Sequence, residues 1–348
     1  MENSLKSSAH LPGLNGLRAL AVTAVIVSHA FFGATNFYVL RLFSGNWGVT
    51  LFFVISGFLI TTLLLSEFER FGRIDIRAFY LRRAIRILPP AYFFLFSVLV
   101  LNQFEVIEVA PLSLLSALLF LKNLPIPGVP HDWYLGHFWS LAVEEQYYLI
   151  LPILLIIVRK QLSFVCIAFI FCSLLVTFIY FHIHKNSFSL RMMMAFVVHL
   201  VPLLVGTLFA ILNTRYPLLK RKISSLIIVL CAILSMLSLS SAHNYIPSLV
   251  KPLFAATFAG IVILGAINTA NGVLGWLLNN AASDFMGRIS YSLYLWQQLF
   301  TNQSILNIDA LAHYAIPLNI LAILAFALGS YYLIEKPLFG IRGRLRHR

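Results

Sequence analysis

The sequence predicts an all-α polytopic membrane protein, with about ten transmembrane helices and one short re-entrant or interfacial helix. Three observations carry that prediction. Apolar runs of about 17–22 residues recur from end to end, each long enough for a helix to cross a hydrocarbon core. The 348 residues are 60% hydrophobic and only 11% charged, with mean hydropathy +0.89, which no soluble domain sustains. No ten-residue segment alternates apolar and polar residues in the manner of a membrane barrel, so helices satisfy the backbone.

The spans read in order as 14–32, 47–65, 80–101, 137–158, 162–181, 193–212, 223–240, 252–268, 289–306 and 315–334. The first is read as a retained span rather than a cleaved leader, because it carries Arg18 and lacks a small-residue cleavage site. The apolar piece 111–121 amounts to only about 16 Å of helix, too short to cross. Charge sets the topology. Arg70, Arg73, Arg77, Arg82, Arg83 and Arg86 fill 66–86; Arg159 and Lys160 end a span; Arg215, Lys220, Arg221 and Lys222 fill 213–222; Arg342, Arg344, Arg346 and Arg348 crowd the last residues. Placing all four clusters in the cytoplasm requires an even number of crossings between them, which excludes 111–121 and puts both termini inside. The outer loops are then 33–46, 102–136, 182–192, 241–251 and 307–314. The longest, 102–136, is loop-like through Pro125, Pro127, Gly128 and Pro130 and is placed to cap an outer vestibule. The whole chain, 1–348, reads as a single integral-membrane domain with no internal repeat.

The net charge of +13 is explained by cations beside spans and calls for membrane lipids rather than nucleic acid as partner. Cys166, Cys172 and Cys231 lie in apolar runs, are odd in number and match no metal spacing.

Ionisable residues inside spans are where function is expected. Arg18 and His29 are eleven residues apart, which on a helix is about 20° beyond three turns, so they share a face about 16 Å apart. A neutral imidazole can act as general base toward a hydroxyl; the plainer reading is a snorkelling arginine and an interhelical hydrogen bond. In HFWSLAVEEQYY, His137, Ser140, Glu144 and Tyr148 form one stripe, with Glu144 at a depth comparable to His29. Glu144 can orient an imidazole, whereas Glu145 is rotated by about 100°. The plainer reading is a belt of Trp and Tyr anchors with one protonated Glu. Arg83 and Arg86, at i and i+3, suit phosphates bidentately or serve topology alone. Gly57, beside Ser56, permits close helix approach. Ser290, Tyr291, Tyr294 and Gln297 form a polar stripe that is either interhelical bonding or a cavity wall. Glu335 and Lys336 read as interfacial, with Pro337 ending the last helix.

Together GLNGLRALAVTAVIVSH, GVTLFFVISGFLI, RAFYLRRAIRILPPAY, HFWSLAVEEQYYLILP, GRISYSLYLW and YYLIEKP resemble the acyltransferase type 3 family of bacterial integral-membrane O-acyltransferases. The resemblance covers nearly the whole chain. It implies transfer of an acyl group, usually acetyl, from acetyl-CoA to a glycan or lipid-linked sugar acceptor at the inner (cytoplasmic) membrane, with proteins of polysaccharide assembly as further partners and no metal. The family's R-x10-H falls on Arg18 and His29, its RxxR on Arg83 and Arg86, and its WSLxxE on Trp139, Ser140 and Glu144. The implied roles are His29 and Glu144 in catalysis, Arg18, Arg83 and Arg86 on acyl-CoA, and His137, Trp139, Ser140, Tyr291 and Tyr294 toward substrate. Thr50 stands where members often have Asp, and Leu295-Trp296-Gln297 where they often read LWH. Some members also carry a C-terminal hydrolase-like domain; with none within these residues, a second step is expected to need another protein. A secondary transporter or flippase for an anionic or acylated solute would also explain a buried Arg, a buried His and a basic mouth, though no paired inverted pattern supports it. A non-catalytic scaffold for polysaccharide assembly is the third reading.

Overall fold

The structure, a computed structural model, describes residues 11–31, 44–130, 132–183, 198–216, 222–239, 250–268, 272–301 and 315–344. Among them the elements are α1 (Leu14–Ala30), α2 (Gly45–Phe71), α3 (Ile76–Gln103), α4 (Pro111–Leu118), α5 (Phe138–Val158), α6 (Leu162–Ile183), α7 (Val201–Arg215), α8 (Ser225–Leu239), α9 (Lys251–Asn268), α10 (Gly272–Asn279), α11 (Ala281–Arg288), α12 (Ser290–Phe300), α13 (Ala315–Ser330), a π-helical turn (Tyr331–Glu335) and α14 (Lys336–Arg344). No strand occurs among the described residues. Over its described residues each expected span falls on one of these helices, the last on α13 and the π turn; 32, 193–197, 240 and 302–306 lie outside the described residues, and 111–121 becomes the short α4 with Pro111 in its first turn. Among the described residues six helices are long and apolar enough to cross a membrane: α2, α3, α5, Leu162–Ile179 of α6, α9 and the run Pro317–Gly340; α1, α7 and α8 are shorter apolar helices. The expected outer loops 33–46, 182–192, 241–251 and 307–314 lie wholly or mainly outside the described residues, as do Lys220, Arg221, Arg346 and Arg348.

The chain forms two compact units: Met1–Ser28, Ala34–Ile74 and Ile150–Arg288 in the first; His29–Gly33, Asp75–Leu149 and Ile289–Arg348 in the second. In the first, helices approach through small residues. A Cβ on Gly57 would collide with the Leu203 carbonyl, and one on Gly206 with the Val54 carbonyl, so α2 and α7 touch backbone to backbone. That is the role the Ser56-Gly57 pair predicts. Thr61 Oγ1 donates to Thr207 Oγ1 across the same interface at 3.1 Å. Trp47 Nε1 donates to Ser235 Oγ at 3.0 Å, and Ser235 Oγ donates to the Ala255 carbonyl at 2.8 Å, which links α2, α8 and α9. Asn15 Nδ2 donates to Asp284 Oδ1 at 2.7 Å, fixing α1 against α11. The helices α10 and α11 went unpredicted, because eight residues give only two turns of periodicity.

In the second unit α3 carries Pro89 and Pro90 mid-helix. They leave the Ile85 and Arg86 carbonyls without their usual donors. Two expectations at the chain's far end are corrected. Pro337 does not end a helix. The π turn, in which the Lys336 N–H reaches the Tyr331 carbonyl, delivers Pro337 to the first turn of α14, where a missing N–H is harmless. Glu335 is not interfacial: it is buried and accepts a hydrogen bond from Ser292 of α12. Only Lys336 stays at the surface, its ammonium 4.8 Å from the Tyr332 ring centre.

Candidate active site

Arg18 belongs to the first unit, half-buried on α1. The other candidate residues all belong to the second unit, on two tiers: His29 at the end of α1, His137 just before α5, and the rest along α3, α5 and α12.

One tier is ionic. The Arg83 guanidinium lies over the Tyr148 ring, 5.0 Å from its centre, and Tyr148 donates its hydroxyl proton to Glu144 Oε1 one turn away on α5. Both carboxylates of the adjacent pair Glu144 and Glu145 come within electrostatic reach of Arg83, so the rotation between them sets them around the cation instead of separating them from it. Arg86 in turn lies within reach of Glu145, Tyr291 and Glu335. Tyr291 donates to the Ile87 carbonyl at 2.9 Å, beside the carbonyls the two prolines free. Ionised groups in a low-dielectric surrounding persist only with such partners, and a guanidinium has five N–H donors to place.

The other tier holds the imidazoles. His29 Nδ1 is 2.8 Å from Gln297 Oε1. An amide oxygen only accepts, so Nδ1 carries the hydrogen and Nε2 presents its lone pair. Gln297 is itself fixed: Nε2 donates to Gln298 Oε1 at 2.9 Å, and Thr301 Oγ1 donates to its backbone carbonyl at 2.9 Å. Trp133 meets the His29 ring edge to face, with centroids 5.3 Å apart and planes at 70°. Its indole N–H donates to the Gln298 carbonyl at 2.9 Å. Trp133 comes from the segment 102–136, which is tied down by Lys122 and Asp132, a largely buried ion pair at 2.6 Å, both also bonded to Ser113 of α4. Asp132 Oδ1 also accepts from the Leu135 N–H at 2.8 Å. His137 is buried against Phe94, Phe138 and Tyr294. Ser140 donates to the His137 carbonyl at 2.9 Å and pairs with the Tyr294 hydroxyl at 2.5 Å. Trp139 is half-buried on α5.

The stripe His137, Ser140, Glu144 and Tyr148 therefore exists, but it runs from one tier to the other. Of the two readings of the α12 stripe, interhelical bonding accounts for Tyr291 and Tyr294, and off the stripe Ser292 bonds likewise to Glu335. The group that orients His29 is Gln297, which the sequence reading places on the α12 polar stripe and, by the resemblance, where members often have a histidine. Its position two turns below Ser290 on the polar stripe was the available signal. Arg86 to Phe94 on α3 and His137 to Glu144 on α5 each correspond to a rise of about 10–12 Å, which is the separation of the tiers.

The described residues thus hold one imidazole in a fixed tautomer on one tier and two guanidinium groups on the other, within apolar helices. A family model described as an acyltransferase domain matches residues 11–335, and the chain belongs to that family, acyltransferase type 3. Among similar curated proteins, the "Putative peptidoglycan O-acetyltransferase YrhL" of Bacillus subtilis is 29% identical over 97% of this chain and 56% of its own length. The "O-acetyltransferase OatA" of Staphylococcus aureus is 28% identical over 95% of this chain and 58% of its own. The chain thus spans little more than half the length of these relatives. No solved structure matches it.

Proposed function

We propose that this chain is a membrane O-acyltransferase that moves an acyl group, acetyl by family habit, from cytoplasmic acyl-CoA to a hydroxyl of a cell-surface polysaccharide or its lipid-linked precursor. Family membership supports the chemistry, and the name carried by YrhL makes peptidoglycan the first acceptor to test. The observation that carries the reading is the hydrogen bond from His29 Nδ1 to Gln297 Oε1, which leaves Nε2 as a base inside a membrane protein.

Arg83 and Arg86 take the CoA phosphates at the cytoplasmic mouth, in keeping with the positive-inside rule. Both termini are cytoplasmic. The pantetheine arm covers the distance of about 10–12 Å between the tiers. His29 Nε2 then removes the acceptor hydroxyl proton as the oxygen attacks the thioester carbon. The C–O bond forms, the tetrahedral intermediate collapses, the C–S bond breaks, and the imidazolium returns its proton to the departing thiolate. Glu144, bonded to Tyr148 and near Arg83, holds the cationic tier in place, which assigns it a supporting role in this scheme.

The test is mass spectrometry of surface glycans from cells with the wild-type chain, without it, and with His29→Ala. One acetyl increment per modified sugar is expected with the wild type. In His29→Ala the increment should fall by about 10²–10⁴-fold while the protein stays in the membrane at normal abundance. Undiminished acetylation in that variant would end the assignment.

A further inference from the structure

His137 is 3% exposed, and neither of its ring nitrogens has a hydrogen-bond partner among the described residues. Leaving a buried donor or acceptor unpaired costs about 1–3 kcal/mol each, and such groups are rare in folded proteins. Phenylalanine would fill the same volume among Phe94, Phe138 and Tyr294 without that cost. The ring is nonetheless carefully placed. Phe94 meets it edge to face at 5.2 Å and 81°, and Tyr294 at 5.7 Å and 77°. Tyr294 is held in turn by Ser140, whose hydroxyl also ties down the His137 carbonyl.

Its position relative to His29 is set by one helix. Tyr294 packs on His137, and Gln297 holds His29; the two are i and i+3 on α12 and share a face about 4.5 Å apart along the axis. The two imidazoles are close enough to interact electrostatically. One has a committed nitrogen and a free base; the other has both nitrogens uncommitted. An imidazole carries at least one N–H in either protonation state, so His137 always has a hydrogen to donate.

We propose that His137 donates an N–H hydrogen bond to the carbonyl oxygen of the acyl thioester and stabilises the oxyanion that forms on it. This rests on the acyltransferase reading above. The acceptor oxygen adds to the carbonyl carbon as its proton passes to His29 Nε2, and the negative charge then gathers on the oxygen facing His137. When the intermediate collapses, the electron pair on that oxygen re-forms the C=O bond, the C–S pair leaves with the thiolate, which takes the proton from His29, and His137 ends the cycle unchanged. A donor fixed in advance, out of water and aimed at developing charge, contributes most in the transition state. The otherwise unfavourable burial of an unpaired imidazole thereby acquires a purpose.

Transfer of label from acetyl-CoA into glycan is measured in membranes from cells producing the full chain, which supply their own acceptors. His137→Phe should lower kcat by about 10²–10³-fold with KM for acetyl-CoA nearly unchanged, while thermal stability stays level or rises. His137→Gln, which restores an N–H, should recover at least about a tenth of wild-type kcat. Should the Phe variant fail to accumulate, His137→Gln against His137→Met makes the same comparison at matched volume. Full activity in His137→Phe, or equal activity in the Gln and Met variants, overturns the proposal while leaving the acyltransferase reading intact. No transfer by wild-type membranes removes both.

Discussion

The two compact units are built on opposite principles. In the first, α2 and α7 meet through glycine and threonine, with Gly57 and Gly206 bringing backbones into contact, and a few hydrogen bonds such as Asn15–Asp284 join other helices. In the second, they meet through ring edges and charged or amide side chains, with Phe94, Trp133, Tyr148 and Tyr291 each serving a polar neighbour. Lipid offers no hydrophobic force between helices, so either close packing or polar bonding must hold them. Close packing gives rigidity with nothing to titrate. Polar bonding accepts a higher cost per helix and provides groups that can move protons and bind phosphate. On the proposed function, most of the chemistry falls to the second unit, with Arg18 the one candidate in the first.

Substitutions can break that division or sharpen it. Beyond His29 and His137, the largest expected effect belongs to Gln297→Leu. It removes the acceptor that fixes the His29 tautomer and should lower kcat by about 100-fold, while Gln297→Asn, which keeps a carbonyl acceptor, should lose less. Steady-state rates of acetyl transfer give the answer, and equal losses in both variants would mean the amide does not orient the ring. Next comes Arg83→Ala. Loss of one charge-assisted phosphate contact should raise KM for acetyl-CoA by about 10–100-fold with a smaller change in kcat. An unchanged KM would reassign the guanidinium to topology. The smallest effect on turnover is expected in the first unit. Gly57→Ala forces a methyl group onto the Leu203 carbonyl and should destabilise the folded protein by about 1–3 kcal/mol, read as a lower melting temperature in detergent, with kcat of the surviving protein unaltered. A fall in kcat as large as that of Gln297→Leu would dissolve the distinction between the units.

Much of this was legible in the sequence. Hydropathy located every long helix among the described residues, because each such segment needs its own run of apolar residues. The helical period put His137, Ser140 and Glu144 on one stripe. What stayed hidden was which residue faces which. Gln297 is 268 positions from His29, and no local pattern pairs them. Glu335 reads as interfacial because it sits beside a lysine and a proline at the end of an apolar run; only the π turn, a feature without a sequence signature, turns it inward. Trp133 lies in a segment rich in proline that reads as irregular, and its tether, the Lys122–Asp132 pair, spans a gap with no periodicity. Local rules found the long helices and their faces, though not the two-turn α10 and α11, whereas the partners across the second unit depend on tertiary contacts.

The choice of glutamine beside His29 also bears on how the chain is made. Helix α12, SYSLYLWQQLF, contains no charged residue. A carboxylate at 297 would orient the imidazole as well, but a charged side chain near a helix centre adds about 2.5–3.5 kcal/mol to insertion by the translocon. A neutral amide supplies the same acceptor without a charge to shelter, so the segment carries its hydrogen-bonding group at a lower cost in an apolar surrounding.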